Sequence, residues 1–187
     1  MKKALVIVMV WACMAGYQCQ NANPCQGFPD LGISPNQSLH DWLRPDGYYY
    51  EVVTDTPQSG RVLTEMVILY QNGVAIAGGS FEVSSLMELD EAVGSIDNNG
   101  LYRESRDFWG IFSSDSQNIA IAHWGPRSCG KYGIRREGQV QNETTFVLTS
   151  QTDIDDNAPF SVEPEVFRRY HFRGFSPKPD STNDFVP

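Results

Sequence analysis

His123 and His171, in a chain with 23 acidic residues, invite an acid–base reading, because imidazole and carboxylate are the usual proton carriers near neutral pH. No Gly-x-Ser-x-Gly elbow accompanies them, and neither histidine sits in a nucleophile motif, so no catalytic residue is assigned. Each is expected on a strand, facing water or held by a partner. With His40 they make a scattered set without i, i+4 spacing, and no Cys-x-x-Cys pair is present, which leaves no zinc site. Asp153, Asp155 and Asn157 fall on positions 1, 3 and 5 of a calcium loop. Ala158 then stands where the turn needs glycine, and Pro164 where the bidentate glutamate belongs. Neither a metal nor a cofactor is expected.

Two other groups could do binding chemistry. Arg135–Arg136 and Arg168–Arg169 are adjacent pairs in strand-like segments, so each pair splits between two faces. Whichever member points inward needs a carboxylate or a bound anion as partner. The aromatic set Tyr48, Tyr50, Trp109, Trp124, Tyr132, Phe146, Tyr170 and Phe172 is the best candidate for a pocket lining, since Tyr and Trp join apolar bulk to a polar handle. A filled core would use the same residues. A small apolar ligand and a packed interior both stay open.

The elements that must position these residues are strands. From Asp107 to Ser150 short alternating segments are cut by turn residues. Ile119, Ile121 and His123 share one side; Ala120, Ala122 and Trp124 share the other. Tyr132, Ile134 and Val140 share a parity, with Arg136 as a charge on that otherwise apolar side, while Arg135, Glu137, Gln139 and Gln141 take the opposite one. Such alternation marks half-buried antiparallel strands. Upstream, Tyr48 to Thr54 reads as the first strand. Asn72-Gly73 between two β-rich runs signals a two-residue hairpin turn of type I′, and Gly78-Gly79 marks a bend or bulge. Residues 84–96 change period: Leu86, Leu89, Val93 and Ile96 recur at helical spacing, with Ser85 and Glu88 forming a capping box. This helix is expected over an open end or edge of the sheet, as a cover or a lid. Asn142-Glu143 is the last tight turn, Val166 to Phe175 the final strand, and the tail too rich in Pro, Ser and Asp to pack on its own.

The length suits one domain with a sizeable core. The formal net charge is −9, and a surface that negative argues against nucleic acid and against electrostatic membrane docking. Lys2 and Lys3 followed by the apolar run Ala4 to Gly16 read as a secretory leader, too short for a convincing span. The organisation expected is therefore a signal peptide at 1–18, an irregular arm at 19–45 and a barrel domain at 46–187. Lipobox-like stretches end at Cys13 and at Cys19, each satisfying the pattern only in part. Cys19 gives the more normal leader length and is taken as the lipid anchor. Simple secretion, with cleavage after Gly16 or near Ala22, stays open. With Cys19 lipidated, Cys25 and Cys129 remain as an even pair, expected to form a disulfide in an oxidising compartment.

Eight to ten short strands with tight turns and one helix fit an all-β, antiparallel up-and-down barrel. Arg44-Pro45-Asp46-Gly47-Tyr48-Tyr49-Tyr50, Asn72-Gly73, Phe108-Trp109-Gly110-Ile111, Gly138-Gln139-Val140 with Thr144-Thr145-Phe146, and Lys178-Pro179-Asp180-Ser181-Thr182-Asn183 make the chain resemble lipocalin-like (calycin) β-barrels. More narrowly, it resembles uncharacterised envelope lipoproteins of Gram-negative bacteria. The likeness runs from Arg44 to Pro187 and implies the barrel; together with the leader and the absence of a nucleophile motif, the expectation is a non-enzymatic, exported envelope protein, periplasmic or lipid-anchored at the outer membrane. Its barrel would hold a small hydrophobic ligand. The alternative is a structural or protein-interaction module with a filled core, and an enzyme of unknown class comes third.

Overall fold

A computed structural model describes residues 31–35, 42–56, 61–98, 105–125, 132–155, 162–163, 167–183 and 185–186. Its strands are β1 (Gly47–Thr56), β2 (Arg61–Leu69), β3 (Val74–Val83), β4 (Trp109–Ser114), β5 (Asn118–Trp124), β6 (Tyr132–Asn142), β7 (Thr145–Asp155), β8 (Val162–Glu163) and β9 (Arg168–Gly174). Consecutive strands pair antiparallel from β1 to β7; β9 then joins β7 to β1 and shuts the sheet into a barrel of eight strands. The two-residue β8 lies on β7 outside that circuit. The expected all-β, up-and-down barrel is what forms, and it is compatible with a lipocalin-like fold.

Local chemistry sets most of the turns, with two differences from expectation. At Asn72-Gly73 only Gly73 has a positive φ, +84°. The Gly73 amide donates to the Tyr70 carbonyl, and Asn72 Oδ1 accepts from the Val74 amide. A turn closed by one left-handed glycine takes the place of the type I′ pair, because the Asn72 side chain is used on the backbone of the next strand. The last hairpin turns on Glu143–Thr144, one residue later than expected, since Asn142 Oδ1 accepts from both the Thr144 amide and its hydroxyl. The bulge forms where the glycines stand. Met66 opposes Gly79 and Ile68 opposes Ile76, so Ala77 and Gly78 share one partner position, with Gly78 at φ +80°.

Two cores result from the alternation. The inner one contains Leu43, Tyr49, Val67, Leu69, Phe112, Ile119, Ile121, Phe146, Leu148 and Tyr170. The outer one lies on the other face of β1 to β4, where Tyr48, Met66, Ile68, Ile76 and Trp109 pack against Leu89, Val93 and Ile96. Those three belong to the helix α1 (Leu86–Gly94) and the turn after it. Ser85 caps α1 by accepting from the Glu88 amide, and Glu88 returns to the amide and hydroxyl of Ser84. The helix thus covers the outside wall, not an end or an edge: a closed sheet has no edge there, and the apolar outer residues of β1 to β3 need a partner. Asp90 fixes its position, accepting from Tyr48 Oη at 2.8 Å and from Arg173 at 2.7 and 2.5 Å.

The tail also packs, against the barrel rather than on itself. Tyr70 Oη donates to the Pro179 carbonyl, Lys178 Nζ donates to the carbonyls of Pro45 and Leu69, and Val186 is buried in the outer core. Backbone groups that a Pro-rich segment cannot pair within itself are taken up by the barrel wall.

Candidate functional site

The strand register makes the interior a stack of layers. At the end closed by the 70–73, 115–117 and 143–144 turns, the layer is aromatic. Phe146 and Tyr170 stack at 4.9 Å, Tyr49 lies 5.0 Å from Phe146 and 5.3 Å from Phe172, and Leu43 from the arm is buried with them. The Tyr49 hydroxyl donates to the Glu143 carbonyl and accepts from the Arg44 amide, which closes this end with polar groups satisfied.

The next layer towards the other end is ionic. Glu51 of β1 pairs in register with Glu65 of β2, and Arg136 of β6 with Gln151 of β7; Arg168 of β9 opposes Leu148. Glu65 is the hub. One carboxylate oxygen accepts from Arg136 at 3.1 Å and from Tyr170 Oη at 2.9 Å; the other meets Arg168 at 2.5 Å. Arg136 Nε donates to Gln151 Oε1 at 2.9 Å. Glu51 accepts the Arg169 amide at 3.1 Å, and its second oxygen, 3.9 Å from Arg168, has no hydrogen-bond partner among the described residues.

Burial and pairing compete differently at the two carboxylates. Burial alone would raise Glu65, but Arg136 and Arg168 outweigh it and hold the carboxyl below its ordinary value. At Glu51 burial wins over Arg168, and the carboxyl titrates above its ordinary value. Burial raises the Tyr170 phenol as well, with Glu65 beside it adding in the same direction. So the layer holds two guanidinium groups against one firm carboxylate and one reluctant one, and Arg168 keeps 23% of its side chain exposed. Arginines of this kind can stabilise one another's partners, or they can meet a ligand's polar head.

His123 completes the polar interior. It is buried on the side of Ile119 and Ile121, with Nδ1 2.9 Å from the Trp124 carbonyl and its ring against Gly78. Burial first, then the nearby Arg136 charge, push its pKa down to about 4. It is neutral at pH 7 and faces the barrel interior, whereas His171 is exposed on the outer wall beside Tyr50. Only one of the two histidines therefore looks at water.

Of the residues expected to line a pocket, Phe146 and Tyr170 lie in the inner core, and Phe172 packs against it. Tyr48 and Trp109 belong to the outer core, with Tyr50 and Trp124 partly buried against it. The set is thus divided between two faces of the sheet. The Tyr132 side chain, Cys19, Cys25 and Cys129 lie outside the described residues, and so do the expected disulfide and lipid anchor. Among the described residues no cluster of three potential metal ligands occurs. The arginine pairs split as expected: Arg136 and Arg168 turn inward onto carboxylates, while Arg135 pairs with Glu137 across the outer side. Sequence reasoning missed Glu65 and Glu51. The signal was present, because Glu65 shares the inward parity of Leu63, Val67 and Leu69.

No family model, curated protein or solved structure matches the chain. Function must be argued from the barrel's own residues.

Proposed function

We propose that this is a non-enzymatic, exported envelope protein whose barrel is filled by its own side chains and which binds partners through its outer wall. The observation that carries this reading is the interior itself. The aromatic layer of Tyr49, Phe112, Phe146 and Tyr170 is buried to 2% exposure or less. Above it the charged layer holds its hub internally, with hydrogen bonds from Arg136 and Tyr170 and an ion pair with Arg168 converging on Glu65. An apolar guest would have to displace the first or desolvate the second, and uncompensated burial of the charges it disturbs costs several kcal/mol. The leader with Lys2 and Lys3 supports export, and Cys19 is the anchor this reading assigns.

A ligand cup is the second reading, favoured by the residual exposure of Arg168. Its guest would carry a polar head towards that guanidinium, not be wholly apolar. Native mass spectrometry of the protein purified from envelopes, with displacement of a fluorescent fatty-acid probe, separates the two. Filling predicts no stoichiometric amphiphile and no saturable probe binding. A co-purified amphiphile that Arg168→Leu releases would overturn the filled-core reading. Palmitate labelling of Cys19→Ala and Cys13→Ala variants tests the anchor: loss with Cys19→Ala alone supports it, and retention refutes it.

A further inference from the structure

The outer wall carries a hollow of about 530 Å³ across β4 to β7, on the side away from α1. Its volume lies within the range of small-ligand sites. The register explains its shape. Ser113, Ala120, Glu137 and Ser150 form one outward row across four strands, and Asn118 and Gln139 stand beside it. Small residues at Ser113, Ala120 and Gly138 leave the floor low. A Cβ at Gly138 would lie 1.9 Å from the Val147 carbonyl, so the close approach of β7 requires glycine there. Between Glu137 and Gly138 the register shifts past the extra residue Thr149, which bends the wall. The rim is fixed: Asp115 accepts from the amides of Gln117 and Asn118, both at 2.7 Å.

We propose that this hollow binds a neutral, hydroxyl-rich ligand, a short saccharide chain, and thereby supplies the outer-wall activity of the filled-barrel reading on which it rests. Among the described residues neither lysine nor arginine lines the hollow; its carboxylates are Asp115 and Glu137, and Arg135 reaches it only as the ion-pair partner of Glu137. On a protein of net charge −9, that argues against phosphate and sulfate ligands. Among the described residues no aromatic or large exposed apolar group lines it either, which removes the basis for an acyl chain. Beside the two carboxylates, what remains is a set of uncharged side chains, Ser113, Asn118, Gln139, Thr149 and Ser150, able both to donate and to accept. Ser113, Gln139 and Ser150 have hydroxyl and amide groups with no partner among the described residues. Sugar hydroxyls, which also donate and accept, match that inventory. Four strands span about 14 Å, room for several linked rings rather than one.

The test is a two-dimensional amide NMR titration of the full mature protein. The probes are uncharged tetrasaccharides of glucose and of N-acetylglucosamine, with a sulfated heparin tetrasaccharide as anionic control. The expected result is saturable shifts confined to residues 113–120 and 137–150 with at least one neutral probe and none with the sulfated one. Ala120→Trp, which fills the hollow from an outward position, should weaken binding at least tenfold, and Gln139→Ala several-fold, both with the inner-core signals unmoved. No binding by either neutral probe, preference for the sulfated probe, shifts mapping to the barrel interior, or an unaffected Ala120→Trp variant would each overturn the proposal. A silent saccharide titration with no amphiphile in the barrel would sink the ligand class and leave the filled-barrel reading standing.

Discussion

Replacing Glu65 by alanine removes the hub of the ionic layer and leaves the Arg136 and Arg168 guanidinium groups inside the barrel without their carboxylate. Two donors lose their acceptor, Arg136 at 3.1 Å and the Tyr170 hydroxyl at 2.9 Å, and Arg168 loses the ion-pair partner 2.5 Å away. Hydrogen bonds to charged groups contribute about 1.5–3 kcal/mol each, but the desolvation of Glu65 is recovered when it goes. Removing one partner of a buried ionic group therefore costs about 3–5 kcal/mol net. Urea unfolding at pH 7, followed by tryptophan fluorescence, would read this as a midpoint about 2 M lower at unchanged slope, for a slope near 2 kcal/mol/M. The converse variant is as informative. Glu65→Leu with Arg136→Met, Arg168→Met, Glu51→Gln and Tyr170→Phe removes the charges of the layer and the hydroxyl that Glu65 accepted from, and should recover most of the loss, since apolar replacements of buried ion sets are often neutral or stabilising. A Glu65→Ala cost under about 1 kcal/mol would mean that water solvates both arginines. The assignment of Glu65 as the group that compensates both guanidinium charges would then be refuted.

Acid should destabilise the fold in two stages. His123, with its folded pKa lowered to about 4 from 6.5, favours the unfolded chain as pH falls from 6.5 towards 4, a loss of about 3 kcal/mol when complete. Glu65, held below its ordinary value, adds its loss only as pH falls through its depressed folded value, while Glu51, shifted the other way, partly offsets it. His123→Asn should flatten the stability profile between pH 6.5 and 4 in chemical denaturation, and an unchanged slope would contradict the burial assigned to it. Gly78→Ala should cost at least 1–2 kcal/mol for the left-handed φ of +80°, with more from the His123 ring 2.9 Å from the new methyl; thermal unfolding reads it, and a neutral result would deny the bulge. Ending the chain after Phe175 removes Val186 from the outer core and the bonds from Tyr70 and Lys178 to the backbone. The expected loss is about 3–5 kcal/mol by denaturant titration, and an unshifted midpoint would show that the tail is ornament.

The barrel's strands could be read from one sequence because period-2 alternation and turn residues are local: the parity of Ile119, Ile121 and His123 survives into the register with β4 and β6. The same locality placed the bulge at Gly78 and the cap at Ser85. Parity also announced that Arg136 would point inward, and chemistry required a partner for it. Which partner was beyond reach. Glu65 is 71 positions away, and the two meet only because β9 closes the sheet and brings opposite walls of the barrel within the length of two side chains. Closure likewise decided that Tyr48 and Trp109 fall outside while Phe146 and Tyr170 fall inside. An aromatic side chain satisfies either apolar face, so composition cannot say on which side of a curved sheet it is buried.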